Sequence, residues 1–138
     1  MKNLILTIFL FTFTGIFAQN VKLSGLMAEL ETAVKWEAVD KKWTVRRDAW
    51  IIEVKSATTP STLGKLLAEF ETYVTWAAVE KKWVDRRSSW VKECTAPASY
   101  AAVSKLMINF ESYTKWEGVQ EAWKKRREPW VIEAAGIN

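Results

Sequence analysis

Nine tryptophans fall on three positions of a 40-residue period, and this repetition limits the chain to architectures built from three equivalent units. Trp36, Trp76 and Trp116 form one set, Trp43, Trp83 and Trp123 the second, and Trp50, Trp90 and Trp130 the third. Six further positions are identical in all copies: Leu26/Leu66/Leu106, Glu31/Glu71/Glu111, Val39/Val79/Val119, Arg46/Arg86/Arg126, Arg47/Arg87/Arg127 and Glu53/Glu93/Glu133. The shared core reads W-x2-V-x3-W-x2-R-R-x2-W-x2-E. A period of this length lies in the range of helical repeats, in which one unit cannot bury its apolar face alone.

Between the copies lie Lys55 to Ser61 and Thr95 to Ser99, rich in Ser, Thr, Ala and Pro, whereas the copies themselves hold few Gly or Pro. These stretches read as linkers between helical units covering about residues 20–59, 60–99 and 100–138. Leu63, Leu66, Leu67, Phe70, Tyr73 and Val74 recur at three- and four-residue steps and so share one helical stripe. Trp76, Val79, Trp83 and Trp90 form a second stripe, which at about 100° per residue points to nearly the opposite side of one straight helix. A turn near Thr32/Thr72/Ser112 resolves the conflict, with those hydroxyls expected to cap the next helix. The expected fold is all-α: three helical hairpins stacked as a short solenoid or a compact bundle, with three long antiparallel helices as the alternative. Pro129 predicts a second irregularity, with the last Trp-x2-Glu on a short third helix or beyond a kink.

Met1, Lys2 and Asn3 precede an apolar run from Leu4 to Phe17, followed by Ala18, Gln19 and Asn20. This pattern predicts a signal peptide over residues 1–19, a mature domain over 20–138 and a secreted or periplasmic location. The run is shorter than the ~20 residues of a membrane-spanning helix, so no membrane span is expected after cleavage. Loss of Lys2 lowers the net charge from +4 to +3, a mild excess that does not demand an acidic partner.

The chain has no histidine and one cysteine, Cys94, whose counterparts are Val54 and Ala134. A small buried role is expected for it, and no metal or other cofactor is expected. The candidate ladder comprises Trp36, Trp43, Arg46, Arg47 and Trp50, then Trp76, Trp83, Arg86, Arg87 and Trp90, then Trp116, Trp123, Arg126, Arg127 and Trp130. Tryptophans at i, i+7 and i+14 form one line on a continuous helix. Arg46 and Arg47 reach both Trp43 and Trp50, so stacking on the indoles is expected, with Glu53 holding Arg46's remaining donors. Such a ladder serves first to pack copies together and second as a face for a protein, glycan or phosphate polymer. Glu31/Glu71/Glu111 invite a catalytic reading as paired carboxylates. A residue present once per repeat instead serves the repeat, so no enzymatic activity is expected. Lys124, Lys125, Arg126 and Arg127 form the densest basic run, but Glu117, Glu121 and Glu128 lie beside it, so a partly paired face is expected and nucleic acid is not.

Overall fold

A computed structural model describes the backbone of residues 2–138 and the side chains of residues 18–138. The expected signal peptide therefore lies almost wholly outside the described side chains. The described residues form six α-helices: α1 (Lys2–Ala33), α2 (Trp43–Ser56), α3 (Pro60–Tyr73), α4 (Trp83–Thr95), α5 (Tyr100–Ser112) and α6 (Glu121–Ala135). Each odd-numbered helix is joined to the next by an extended segment carrying one 3-10 turn, at Trp36–Ala38, Trp76–Ala78 and Trp116–Gly118. Among the described residues no helix is long and apolar enough to cross a membrane.

The hairpins do not run on as an open solenoid; they close into a compact bundle. Helices α1, α3 and α5 pack against one another at the centre. Each outer helix lies against its own inner helix and the next one round: α2 on α1 and α3, α4 on α3 and α5, α6 on α5 and α1. The inner stripe supplies Leu23, Met27 and Leu30 from α1, Leu63, Leu67 and Phe70 from α3, and Val103, Met107 and Phe110 from α5, all buried. An open stack of three copies would leave two such faces in water unless its end copies were polar caps. Closure removes both ends and buries Trp130 of the third copy beneath α1 of the first, where its Nε1 donates to the Leu26 carbonyl at 3.0 Å.

The turn segments repeat this closure in backbone hydrogen bonds. Thr75 N donates to Ala38 O, Lys115 N to Ala78 O and Lys35 N to Gly118 O, at 2.8–2.9 Å. A second set, Asp40 N to Tyr73 O, Glu80 N to Tyr113 O and Gln120 N to Ala33 O, is bonded at 2.7–2.8 Å. Every copy thus joins the next, and the third joins the first. Small residues permit the approach at the axis: Ala38, Ala78 and Gly118 are buried, and a Cβ on Gly118 would stand 3.0 Å from that of Ala78.

At the opposite end, Thr59 and Ser99 cap α3 and α5 by accepting from Thr62 N and Ala102 N. Gln19 occupies the same register in the first copy, and its Oε1 accepts from the backbone of Asn138 at 3.3 Å. The expected end of the signal peptide therefore coincides with the place where the other inner helices begin. Because the termini of residues 19–138 meet as a third linker would, a permutant that joins Asn138 to Gln19 through a short linker and opens at Thr59 is expected to keep the fold. Its circular dichroism spectrum should match that of the parent, with a single cooperative melt. An unfolded permutant would contradict closure of the ring.

Three local expectations are corrected. Thr32, Thr72 and Ser112 do lie where the inner helices end, but their hydroxyls do not cap the following helix. They donate back to the carbonyls of Glu29, Glu69 and Asn109 at 2.6–2.7 Å and so serve the helix they belong to. There is no short third helix, since α2 and α4 run unbroken through Asp48 and Ser88 and α6 continues through Pro129. Burial of Trp123 and Trp130 from one helix outweighs the local cost of the proline. The three tryptophans of each copy also do not form one line, because an extended segment separates the first from the helix that carries the other two.

Candidate functional site

The break before the outer helix sorts the tryptophans into two classes. Trp43, Trp50, Trp83, Trp90 and Trp130 are fully buried, and Trp123 is 3% exposed. Trp36, Trp76 and Trp116 remain 54%, 59% and 49% exposed on their 3-10 turns. Within each copy the two buried indoles meet edge to face at 5.1–5.3 Å. Phe70 and Phe110 complete two of the clusters, against Trp43 and Trp50 and against Trp83 and Trp90. The expected arginine stacking gives way to this aromatic packing, and the arginines engage carboxylates instead.

Two arginine roles follow from adjacent sequence positions. Arg47, Arg87 and Arg127 turn into their own copy, where Nε donates to both oxygens of Glu31, Glu71 and Glu111 at 2.8–2.9 Å. The same carboxylates accept the indole Nε1 of Trp43, Trp83 and Trp123 at 2.8–3.1 Å. Each glutamate is 4–5% exposed, so the repeated acid is a buried anchor between inner and outer helix. Hydrogen bonds to Glu31 and Glu71 push the pKa of Arg47 and Arg87 upward, against the opposing effect of burial.

Arg46, Arg86 and Arg126 turn toward the next copy. Arg46 bonds Glu69 at 2.7–2.8 Å and also Glu53. Arg126 bonds Glu29 at 2.6–2.9 Å and Glu133 at 2.7 Å across the closing junction. Hydrogen bonds to Glu69 and Glu29, then to Glu53 and Glu133, drive the pKa of these two arginines upward. Arg86 differs, because Asn109 stands where the other junctions have glutamate; it bonds Asn109 at 2.8 Å, Ser89 at 2.8 Å and Glu93 at 2.7 Å. The pairing of Arg46 with Glu53 is as the spacing predicts. The partners at Glu29 and Glu69 come from a neighbouring copy and were not anticipated, although an acid at one register in two of three copies was a usable signal. In the basic run, Lys124 pairs with Glu121 at 2.8 Å and both arginines are bonded, as expected.

Cys94 is fully buried, as are its counterparts Val54 and Ala134. Burial first, and the charge of Glu93 second, push its thiol up to about 12. Since the thiolate is the reactive form, the folded chain is expected to resist a thiol-reactive dye at pH 8 and to react promptly once denatured. Rapid labelling of native protein would contradict the burial.

Depressions occur among the described residues at the tryptophan-bearing end. One of about 160 Å³ is lined by Trp36, Arg47, Glu31, Thr32 and Gln120, among others. Its counterpart in the third copy, about 250 Å³, is lined by Trp116, Arg127, Glu111, Ser112 and Thr114. A dimple of about 150 Å³ at the axis, between Lys35, Glu37, Thr75 and Glu117, lies over Ala38, Ala78 and Gly118. Two larger grooves of about 410 and 530 Å³ flank the linkers at the far end, beside Arg46 with Lys65 and Arg86 with Lys105.

These features define a closed ring of three helical hairpins with an aromatic face at one end. A family model described as a domain of unknown function (DUF8799) matches residues 21–75. That span holds α2 and α3 with α1 from Val21 onward, and hence one whole junction: Trp50 on Leu66, Arg46 on Glu69, and Val39 bridged to Val74. No curated protein and no solved structure matches the chain.

Proposed function

We propose that the chain is an exported, non-catalytic module that binds another macromolecule through the end of the ring bearing Trp36, Trp76 and Trp116. The observation that carries this reading is the half-exposure of these three indoles beside six buried ones. An aromatic ring left in water at the same place in all three copies contributes little to packing, and exposed aromatic clusters mark binding surfaces. The leader-like first residues support export. The once-per-copy glutamates support a structural role, since each is held by a tryptophan and an arginine of its own copy.

A photo-crosslinking amino acid tests the assignment of the face. Placed at position 76 it is expected to give adducts with envelope or extracellular material. Placed at Val45 or Ile52, which are 87% and 67% exposed on the outer helix α2, it is expected to give none. Equal labelling at all three positions, or none at 76, would remove the reading. A glycan is the second reading, favoured by the arginine that lines the clefts beside Trp36 and Trp116.

A further inference from the structure

Arg47, Arg87 and Arg127 each carry five N–H donors, and among the described residues only Nε of each is bonded, to the buried glutamate. Among the described residues the nearest further carboxylate to any of them is Asp48, 3.8 Å from Nη1 of Arg47. The side chains of these arginines are 29–35% exposed. Each is therefore fixed in orientation through Nε, while its four terminal N–H donors have no hydrogen-bond partner among the described residues. In the first and third copies the arginine lines a cleft together with a half-exposed indole and a Thr or Ser residue. The middle copy repeats the set with Trp76, Arg87, Glu71 and Thr72.

Resting on the binding face assigned above, we infer that these clefts are sugar subsites and that the face takes a neutral, hydroxyl-rich polysaccharide. An indole offers a flat apolar surface for the C–H face of a sugar ring, and an oriented guanidinium offers paired donors to its hydroxyl oxygens. Clefts of about 160 and 250 Å³ are smaller than the ~300–1,000 Å³ of sites for drug-sized ligands and suit one ring each. The same indole, arginine and glutamate recurring in every copy match a polymer of repeating units better than the asymmetric surface of a folded protein.

Charge argues against a polyanion. Each arginine of the clefts is neutralised by its own glutamate. The surrounding turn carries mixed charges, Lys35, Lys41 and Lys42 against Glu37 and Asp40, and Lys115 against Glu117 and Glu121. No field of one sign covers the face.

The test uses the chain lacking residues 1–19, with nitrogen-15 in its indoles and guanidiniums. The neutral probes are cellohexaose, maltohexaose, xylohexaose and chitohexaose; polyphosphate and polygalacturonate are the anionic comparators. A neutral probe is expected to shift the Trp36, Trp76 and Trp116 indoles and the three paired Nε resonances, with Kd on the order of 1 mM. The parent polymer should bind at least about 10-fold tighter by spanning clefts, with little dependence on salt. Single Trp36→Ala, Trp76→Ala and Trp116→Ala changes should each remove part of that gain without changing Tm by more than a few degrees. Arg127→Lys keeps the charge but not the fork and should weaken the subsite of the third copy. The inference is overturned if no neutral probe shifts these resonances at about 10 mM, if the shifts fall on buried tryptophans, or if only the polyanions bind and salt releases them. Protein adducts at position 76 without sugar binding would overturn the sugar assignment and leave the binding face standing. Absence of both would overturn both.

Discussion

Replacing Trp83 with alanine is expected to unfold the protein or bring it to the edge of unfolding. The indole is fully buried, meets Trp90, Phe110 and Tyr113 at 5.1–5.4 Å and donates from Nε1 to Glu71. Its removal deletes one of the two largest side chains of the cluster and leaves a void lined by aromatic edges, a loss of about 3–5 kcal/mol. Glu71 also loses one of its two partners while still buried. Against a typical total of about 5–15 kcal/mol, the expected drop in Tm is roughly 10–20 °C. Trp76→Ala, seven residues earlier and 59% exposed, should move Tm by only a few degrees. A pair of melting curves decides the matter, and equal effects of the two changes would refute the division of the tryptophans into core and face.

That division also marks the limit of what the sequence conveys. Periodicity disclosed the three copies, their helical hairpins and the apolar stripe of the inner helices, since each depends on spacings within one helix. It also disclosed the structural duty of Glu31/Glu71/Glu111 and the reach from Arg46 to Glu53. The i, i+7, i+14 spacing misplaced Trp36, Trp76 and Trp116 because that arithmetic holds only along an unbroken helix. The turn inferred from the conflicting stripes lies upstream of Trp36, and the non-α-helical chain continues past it, through the 3-10 turn and a second turn at residues 41–42, before α2 begins at Trp43.

Closure was hidden for a different reason. An open stack and a ring of three copies have the same period, the same linkers and the same buried positions within each copy. They differ only at the contact of the third copy with the first: Trp130 on Leu26, Arg126 on Glu29, Gln120 on Ala33. Copies of opposite kind at the two ends would have favoured an open stack, because solenoid ends carry polar caps. Here the end copies keep Leu26 and Trp130 like the middle one, and the residue pattern at the closing junction is that of the others. Asn109, which deprives Arg86 of the carboxylate that Arg46 and Arg126 possess, is the departure among the polar junction contacts.

The second large effect is expected at Glu71. Its carboxylate is 5% exposed and holds Trp83 Nε1 at 2.9 Å and Arg87 Nε at 2.8–2.9 Å, tying α3 to α4. Glu71→Ala leaves the indole donor buried without an acceptor, which costs about 1–3 kcal/mol, and opens a gap between the helices. Breaking a fully buried ion pair costs about 3–5 kcal/mol, but Arg87 is 33% exposed and can turn its guanidinium to water. The net expectation is therefore a loss of about 2–4 kcal/mol. Glu71→Gln keeps the volume and an oxygen for the indole and should lie between this and the parent. Glu69→Ala, which removes a 30% exposed partner of Arg46, should cost under about 1 kcal/mol. Urea unfolding of the three variants supplies the order directly. If Glu71→Ala proved as stable as the parent, the repeated acid would lose its structural explanation, and its place in the wall of the clefts would become the better account of why every copy carries it.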